Sequence, residues 1–315
     1  MALDLSRAKP FEHQDWEMLE SYLSKWYQRS VPRYYESPLR LAHQPHVFKW
    51  IIIDEHLCII KRRQIMGHPV CYLILPPLGP NPISIIRLFQ ENKISTMLSD
   101  EDMIHFGIGS AEVSIDKNNA EFCYPHEYAE RGGINKNQVR RALNNLKSYG
   151  ERFKVMSFSG GVPLEIIQSA RELTTRWLQQ RKKKAYNQTF FVEAFNELRA
   201  DKYLTVIMES SRCIGYLISI KTPNGIINDT ACIDYEDNPL KDTTLCLLHH
   251  NAQEWLPHGL ATNRGAAVRG SGSISAKQKL RPHIVNQNYK LITEKLQKHE
   301  YEALWVEQKE EPEWL

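Results

Sequence analysis

The sequence predicts an α/β fold of the α+β kind, built from two similar units in tandem. The chain has 315 residues, which is enough for two domains. Hydrophobic residues make up 42% and charged residues 24%, as in an ordinary packed globule. Both halves show the same order of elements: a helix, three strand-like runs, a helix and a further strand. We therefore expect domains over residues 1–150 and 151–315, each with a mixed, mostly antiparallel sheet flanked by helices.

The first half begins with apolar residues at helical spacing, which predict a helix over residues 14–27. Three runs rich in β-branched and aromatic residues follow and predict an antiparallel meander. Pro82 stands near the start of the next apolar-periodic segment and predicts a helix over residues 82–94. Further strands are predicted over residues 103–109 and 111–116. The three runs of the meander are "VFKWIII", "HLCIIKRR" and "PVCYLILPP".

The second half repeats this order. Helices are predicted over residues 162–184 and 190–200, followed by three strand-like runs. The dipeptide Asn-Gly in "PNG" marks a hairpin turn between the last two runs. A helix over residues 243–256 and a strand over residues 260–268 complete the order. The three runs are "YLTVIMES", "CIGYLISIKT" and "GIINDTACIDYE".

Composition excludes several classes of protein. A formal charge of +3 is too small for a dedicated DNA-coating protein. The six cysteines have no CxxC spacing and lie in apolar runs, which indicates buried free thiols in a reducing compartment. The start lacks a long apolar run and no segment is long enough to span a bilayer, so we expect a cytoplasmic protein without membrane insertion.

Motifs for common catalytic and metal sites are absent from the sequence. It contains no GxSxG, no HExxH and no Walker loop, so serine hydrolase, zinc protease and P-loop functions have no support. The adjacent His249 and His250 face different sides of a predicted helix, which is poor geometry for a shared metal. We expect neither a metal nor a cofactor.

A central amphipathic helix is predicted between the halves, in "NKNQVRRALNNLKSYG". Apolar residues recur at helical spacing from Val139 onward. The opposite face carries Arg140, Asn144 and Lys147, with Arg141 beside them. Such a face is either a solvated surface or a substrate-binding surface.

The stretch "TNRGAAVRGSGSISAKQKLRP" combines glycines with basic residues, a composition that often cradles phosphate. Its position argues against a coenzyme A loop. The order of helices and strands resembles that of the GNAT acyltransferases, which implies that a coenzyme A pyrophosphate would lie on a glycine-rich turn between the fourth strand and the next helix. The equivalent junction here, "IDYEDNPLKDTTLCLL", has no glycine and holds Glu236, Asp237 and Asp242, which would repel a pyrophosphate.

These segments resemble a known superfamily. The element order resembles the GNAT acyltransferase fold in tandem. The segment "NKNQVRRALNNLKSYGERFKV" resembles the arginine-and-asparagine helix of the phosphatidylglycerol lysyltransferase C-terminal-like family. The segment "RGSGSISAKQKLRP" resembles that family's glycine-rich turn before a lysine, and also the phenylalanine–lysine segment of Fem-type aminoacyltransferases, which build peptidoglycan bridges. The resemblance extends over roughly residues 20–290.

The resemblance implies an acyltransferase that moves an aminoacyl group from aminoacyl-tRNA to an amine or hydroxyl acceptor. It implies a catalytic Lys277 or Lys279, which would stabilise the oxyanion of the tetrahedral intermediate. Ala276 replaces the phenylalanine of the Fem-type pattern, so both lysines remain candidates. The lysyltransferases that modify lipids carry membrane helices upstream, which this sequence lacks. The implied substrate-binding residues are Arg140, Arg141, Asn144, Lys147, Arg269, Gly270, Ser271 and Gly272.

Two other functions stay open at this point. One is an N-acyltransferase of the GNAT type that uses acyl-CoA in an atypical way. The other is a non-catalytic tandem module that binds a nucleic acid or a partner protein. For the aminoacyltransferase, the first domain would mainly be a scaffold and help to form an interdomain cleft, and the second domain would supply the catalytic cleft.

Overall fold

The computed structural model describes residues 3–65, 68–124, 136–180, 189–234, 236, 238–240, 242–255, 262–267, 284–294, 300 and 304. This part of the chain contains both helices and strands. The α-helices are α1 (Trp16–Trp26), α2 (Pro38–Ala42), α3 (Pro82–Glu91), α4 (Asp100–Phe106), α5 (Lys136–Ser148), α6 (Leu164–Gln180), α7 (Thr189–Glu193) and α8 (Thr243–Trp255). The strands are β1 (Lys9–Pro10), β2 (Phe48–Ile53), β3 (His56–Ile65), β4 (His68–Leu73), β5 (Ser95–Leu98), β6 (Val113–Tyr124), β7 (Phe153–Phe158), β8 (Lys202–Glu209), β9 (Arg212–Thr222), β10 (Gly225–Ile233), β11 (Thr262–Ala267) and β12 (Ile284–Leu291).

Each half contains the predicted unit. Strands β2, β3 and β4 form an antiparallel meander, and helix α3 then leads to β5, which is parallel to β4. Strands β8, β9 and β10 form a second antiparallel meander, and helix α8 leads to β11, which is parallel to β10. The fold is therefore two tandem units, each with a mixed, mostly antiparallel sheet flanked by helices.

Strand pairing joins the two units. The hydrogen-bonded order is β1-β2-β3-β4-β5-β12-β6-β11-β10-β9-β8-β7. Strand β5 pairs with β4 through Ser95 and Thr96, and with β12 through Met97 and Leu98. Strand β6, from the first half, lies between β12 and β11, from the second half. A domain boundary at residue 150 stays a prediction, since strands from each side of it pair with one another.

The apolar core also crosses between the halves. One cluster of buried side chains contains Trp16 and Phe48 together with Phe191, Phe195 and Tyr216. Helix α1 contributes Leu19 and Leu23 to this cluster, as the helical periodicity predicts. Burial of this apolar surface holds the two units against each other. All six cysteines are buried, as predicted, and no disulfide joins them.

One predicted strand is a helix. Residues 103–109 were expected to be a strand from their apolar content, but α4 covers Asp100–Phe106. The reason lies just outside the apolar run: Ser99 Oγ accepts a hydrogen bond from Asp102 N, and Asp102 Oδ2 accepts one from Ser99 N. This capping box begins the helix, and Gly107 ends it with a φ of 64°. Strands β5 and β12 and the short helix α2 were not predicted.

Candidate functional site

The carboxyl ends of β10 and β11 form an edge where a ligand site is expected. These strands are parallel, with Ile226 opposite Thr262 and Ile227 opposite Asn263. Parallel strands present their carboxyl ends at one edge, and ligands of α/β proteins commonly bind in the crevice there. The connection to α8 leaves β10 at this edge, and residues 268–283 leave β11 at the same edge. We call it the β10–β11 edge.

The connection from β10 to α8 is acidic and has no glycine, as its sequence indicated. Asp234 is buried, and its Oδ1 accepts a hydrogen bond from Glu236 N at 3.2 Å. Asn238 Nδ2 donates to Thr243 Oγ1 at 2.7 Å, and Asn238 Oδ1 accepts from Leu240 N at 2.9 Å. Asp234 and Asn238 thus form hydrogen bonds with neighbouring residues of the same connection and with the first residue of α8. This arrangement disfavours a pyrophosphate at the start of α8.

Helix α6 borders the β10–β11 edge and carries an open groove of about 550 Å³. Arg176 Nη2 lies 3.8 Å from Asp234 Oδ2, which is too long for a hydrogen bond. Among the residues that the structure describes, this buried nitrogen has no hydrogen-bond partner. The groove therefore offers a guanidinium donor next to a buried carboxylate, which suits a polar ligand. Its lining residues are Gln168, Arg171, Glu172, Thr175 and Arg176.

In the first unit, the protein's own backbone occupies the region that corresponds to the β10–β11 edge. Leu57 and Leu78 exchange two backbone hydrogen bonds, of 3.0 and 2.9 Å, which close the segment after β4 onto β3. Asn81 N donates to His56 Nε2 at 3.1 Å. Gly79 packs on the same ring so closely that a Cβ there would lie 2.3 Å from His56 Cδ2. This packing leaves the β10–β11 edge as the better site for chemistry.

The predicted binding residues of the central helix lie on α5. Arg140, Arg141, Asn144 and Lys147 are all exposed. The opposite, apolar face of α5 packs against α8, and Val139 and Ala142 share a buried cluster with residues of that helix. A role of the four exposed side chains in binding stays a prediction. The remaining predicted residues, Arg269, Gly270, Ser271, Gly272, Lys277 and Lys279, lie outside the described residues.

A cluster of buried charges, which the sequence did not reveal, lies where the two units meet. Arg33 is only 1% exposed, yet it donates hydrogen bonds in three directions. Its Nη1 reaches Asp102 Oδ2 at 2.9 Å, and its Nε reaches Glu121 Oε1 at 3.3 Å. Its Nη2 reaches Asn288 Oδ1 at 2.8 Å. We call Arg29, Arg33, Asp102, Glu121, Asn263 and Asn288 the junction cluster.

Electrostatics keep Arg33 charged in this setting. Burial alone would lower the pKa of Arg33, but the neighbouring carboxylates of Glu121 and Asp102 raise it above its ordinary value. Arg29 adds a second cation, because its Nε donates to Asp102 Oδ1 at 3.0 Å. The cluster is therefore a set of opposite charges that compensate each other inside the protein.

Glu36 lies nearby and differs from these carboxylates. Burial raises the pKa of Glu36 to about 8, despite hydrogen bonds from Arg33 N, Asn224 Nδ2 and Thr222 Oγ1 that oppose the rise. Thr222 Oγ1 has one proton but lies within reach of both Glu36 Oε2, at 3.1 Å, and Gly225 O, at 3.2 Å. A protonated Glu36 can donate to Thr222 while Thr222 donates to Gly225.

Replacing Glu36 by glutamine is expected to flatten the pH dependence of stability between about pH 4.5 and about pH 8. In that window the folded state holds a proton that the unfolded state has lost. The free energy of unfolding therefore falls as the pH rises, by at most about 1.4 kcal/mol per pH unit. Urea unfolding of both proteins across the window checks this result. Parallel curves for the two proteins would contradict the assignment.

Within the described part of the chain, none of the helices combines the length and the apolar character needed to cross a membrane. The same residues contain no group of three or more His, Cys, Asp or Glu side chains placed to hold a metal ion.

No family model matches the sequence, and no curated protein matches it. Solved structures do share the fold. A conserved protein of unknown function from Bacteroides thetaiotaomicron VPI-5482 superposes with a TM-score of 0.71 at 10% identity, over 91% of this chain and 99% of that one. The C-terminal domain of a protein assigned as a lysylphosphatidylglycerol synthetase from Agrobacterium fabrum gives 0.63 at 10% identity, over 88% and 92%. FemX gives 0.56 at 7% identity, over 88% and 96%.

The superpositions establish a common fold, and the predicted resemblance is confirmed at that level. The solved structures superpose on both units of this chain and cover most of its length. The chain consists of two tandem α/β units, and it shares its fold with the C-terminal domain of a protein assigned as a lysylphosphatidylglycerol synthetase and with FemX.

Proposed function

We propose that the protein is an acyltransferase that moves an aminoacyl group from aminoacyl-tRNA to an amine or hydroxyl acceptor. The observation that carries the proposal is the β10–β11 edge, which is acidic and without glycine where a coenzyme A pyrophosphate would bind, and which borders the helix α6 that carries an open groove. The fold shared with a protein assigned as a lysylphosphatidylglycerol synthetase supports the same reaction class.

The reaction follows from the chemistry of an ester donor. The acceptor's nitrogen or oxygen attacks the carbonyl carbon of the aminoacyl ester, and a tetrahedral oxyanion forms. The bond to the ribose oxygen of the tRNA then breaks, the acceptor loses its proton and the ribose oxygen gains one. We assign stabilisation of the oxyanion to Lys277 or Lys279, since an ammonium group directed at developing negative charge lowers the barrier.

The acceptor is assigned to the groove on α6. Arg176 lines the groove and lies 3.8 Å from the buried Asp234, so a polar acceptor would find a guanidinium donor there with a carboxylate behind it. A nucleophilic amine must lose its charge before attack, and a neighbouring carboxylate can accept the proton. Arg269 and the backbone of Gly270, Ser271 and Gly272 are proposed to contact the donor.

Alanine at Arg140, Asn144 and Lys147 together is expected to raise KM for aminoacyl-tRNA about tenfold and to leave kcat nearly unchanged. Exposed side chains that contact phosphates contribute binding equally in the ground state and the transition state. Steady-state kinetics at two salt concentrations measure the effect, which should shrink at high salt. An unchanged KM would make this face of α5 a solvated surface only.

The competing donor is acyl-CoA, and one experiment separates the two. Purified protein is offered labelled aminoacyl-tRNA or labelled acetyl-CoA together with a panel of small amines and alcohols, and label in the acceptor is counted. A ligand at 100 times its Kd stabilises the folded state by about 2.7 kcal/mol, so thermal melts report which donor binds. Transfer from tRNA only supports the proposal. Transfer from acetyl-CoA only, or binding of tRNA without transfer to any acceptor, would overturn it.

A further inference from the structure

Glu121 lies at the centre of the junction cluster, in the strand that separates β11 from β12. Its side chain is 0% exposed. Asn263, on β11, donates from Nδ2 to Glu121 Oε2 at 2.6 Å. Asn288, on β12, donates from Nδ2 to Glu121 Oε1 at 3.3 Å. One carboxylate thus contacts side chains from both neighbouring strands.

The hydrogen-bonding capacity of this carboxylate is fully used. Oε1 also accepts from Arg33 Nε at 3.3 Å, and Oε2 also accepts from Tyr34 N at 2.9 Å. The two oxygens together accept four hydrogen bonds, which matches their four lone-pair sites. Two donors belong to the segment before α2 and two belong to β11 and β12. Glu121 therefore holds three separate parts of the chain in one position.

The backbone pairing is irregular at both asparagines. The register between β11 and β6 shifts between Asn263 and Ala266. The register between β12 and β6 shifts between Gln287 and Tyr289, which leaves Asn288 at the irregularity. Such bulges interrupt the backbone hydrogen bonds of a sheet and loosen the register locally. At these two points the side-chain hydrogen bonds to Glu121 hold the strands in register where the regular backbone pairing is interrupted.

Strands β11 and β12 flank residues 268–283 in the sequence, and this range contains Lys277 and Lys279. We propose that Glu121 is a positioning residue for the transfer reaction: by joining Asn263 to Asn288, it sets the placement of the two strands between which the catalytic lysine is carried. This inference rests on the proposed function. It assigns Glu121 no contact with substrate, since its carboxylate is buried and fully bonded.

Glu121→Gln is the test variant, because glutamine keeps the size but replaces one acceptor oxygen with a donor that would oppose an asparagine NH₂ group. Asp229→Asn is the matched control. Asp229 is also buried at the junction, where it accepts from Arg40 Nη2 at 2.9 Å and from Ser37 Oγ. It lies on β10, and among the described residues its side chain makes no hydrogen bond or ion pair with β11 or β12. The control thus changes a buried carboxylate without affecting the proposed clamp.

The first measurement is hydrogen exchange, which needs no activity. Amides of β11 and β12 are expected to exchange at least about tenfold faster in Glu121→Gln, whereas Asp229→Asn leaves them unchanged. If the glutamine variant does not fold, Asn263→Ala and Asn288→Ala each remove one arm of the clamp and are measured instead. Equal exchange in these strands for the test and control variants would overturn the clamp.

The second measurement links the clamp to chemistry. Glu121→Gln is expected to lower kcat by about 10²-fold, because a displaced catalytic group acts poorly. In a background of Lys277→Met or Lys279→Met, whichever lowers turnover, that loss should largely disappear, since both changes remove the same contribution. Additive losses would make Glu121 merely structural. A wild-type protein without transferase activity would overturn the proposed function, and the exchange result would then decide the clamp alone.

Discussion

Replacing Arg33 by methionine is expected to lower the free energy of unfolding by about 3–5 kcal/mol. The side chain is 1% exposed and bonds Asp102, Glu121 and Asn288 at once. Methionine fills a similar volume but leaves the buried carboxylate of Glu121 without a cationic partner. Removing one member of a buried charge set costs more than the set contributes, because the remaining charge stays in a low-dielectric interior.

Urea unfolding at pH 7 measures this loss, with Arg199→Met as the control. Arg199 Nη1 bonds Glu17 Oε1 at 2.7 Å, but the two side chains are 79% and 65% exposed. An exposed pair of this kind contributes about 0–1 kcal/mol. Both variants replace arginine by methionine, so the difference between their losses in free energy of unfolding reports the effect of burying the charge. A loss of less than about 1 kcal/mol at Arg33 would mean that the junction cluster is not held together by this guanidinium.

Lysine at position 33 would not replace arginine. The guanidinium directs three nitrogens toward three different partners, from Nε, Nη1 and Nη2, in one rigid plane. An ammonium group on a flexible stem presents a single point and cannot match those directions. The cluster therefore defines how the segment before α2, helix α4 and strands β6 and β12 are placed relative to one another, in addition to any stability it contributes.

Local patterns in the sequence were sufficient for most of the fold. Both meanders and most helices have periodic apolar residues and clear turn signals, and both meanders are present as predicted. The strand expected at residues 103–109 was wrong because the decisive signal was the capping pair Ser99 and Asp102, which precedes the apolar run. Strand β12 was missed because "IVNQNYKL" is rich in polar residues, and its partners are distant strands of the first half.

The junction cluster was beyond the reach of one sequence. Arg33 and Asn288 are 255 residues apart, and Asn263 and Glu121 are 142 apart. Arg33 lies in the polar segment "SVPRYYES", which reads as an ordinary loop, and a buried arginine there has no local signature. The only hint was Glu121 beside Phe122 and Cys123, an acidic residue in an otherwise apolar strand end. The position of a compensating charge depends on tertiary structure, which periodicity does not encode.

Replacing the proposed catalytic lysine by methionine is expected to lower kcat by about 10²–10³-fold, which is the usual cost of losing one donor to an oxyanion. Lys277 and Lys279 are the candidates, and each is changed alone. Methionine keeps the length of the side chain and removes its charge. Because the bound ester has no oxyanion and the negative charge develops only as the transition state is approached, KM should change little. A lysine that only attracts anionic tRNA would give the reverse pattern, with a higher KM and nearly unchanged kcat.

The two lysines are two residues apart, so they would share a face in an extended segment and diverge in a helical one. Two partial losses of turnover would indicate a shared face, and one large loss would identify a single catalytic residue. Lys154→Met, at an exposed position on β7, is the control for loss of a positive charge and should change neither constant. Kinetics with aminoacyl-tRNA and an accepted amine or alcohol measure all three variants. If neither Lys277→Met nor Lys279→Met lowers kcat tenfold, the assignment of a catalytic role to these lysines is wrong. Backbone N–H groups of Gly270 to Gly272 would then be the next donors to test, because glycine allows the main chain to approach an anion closely.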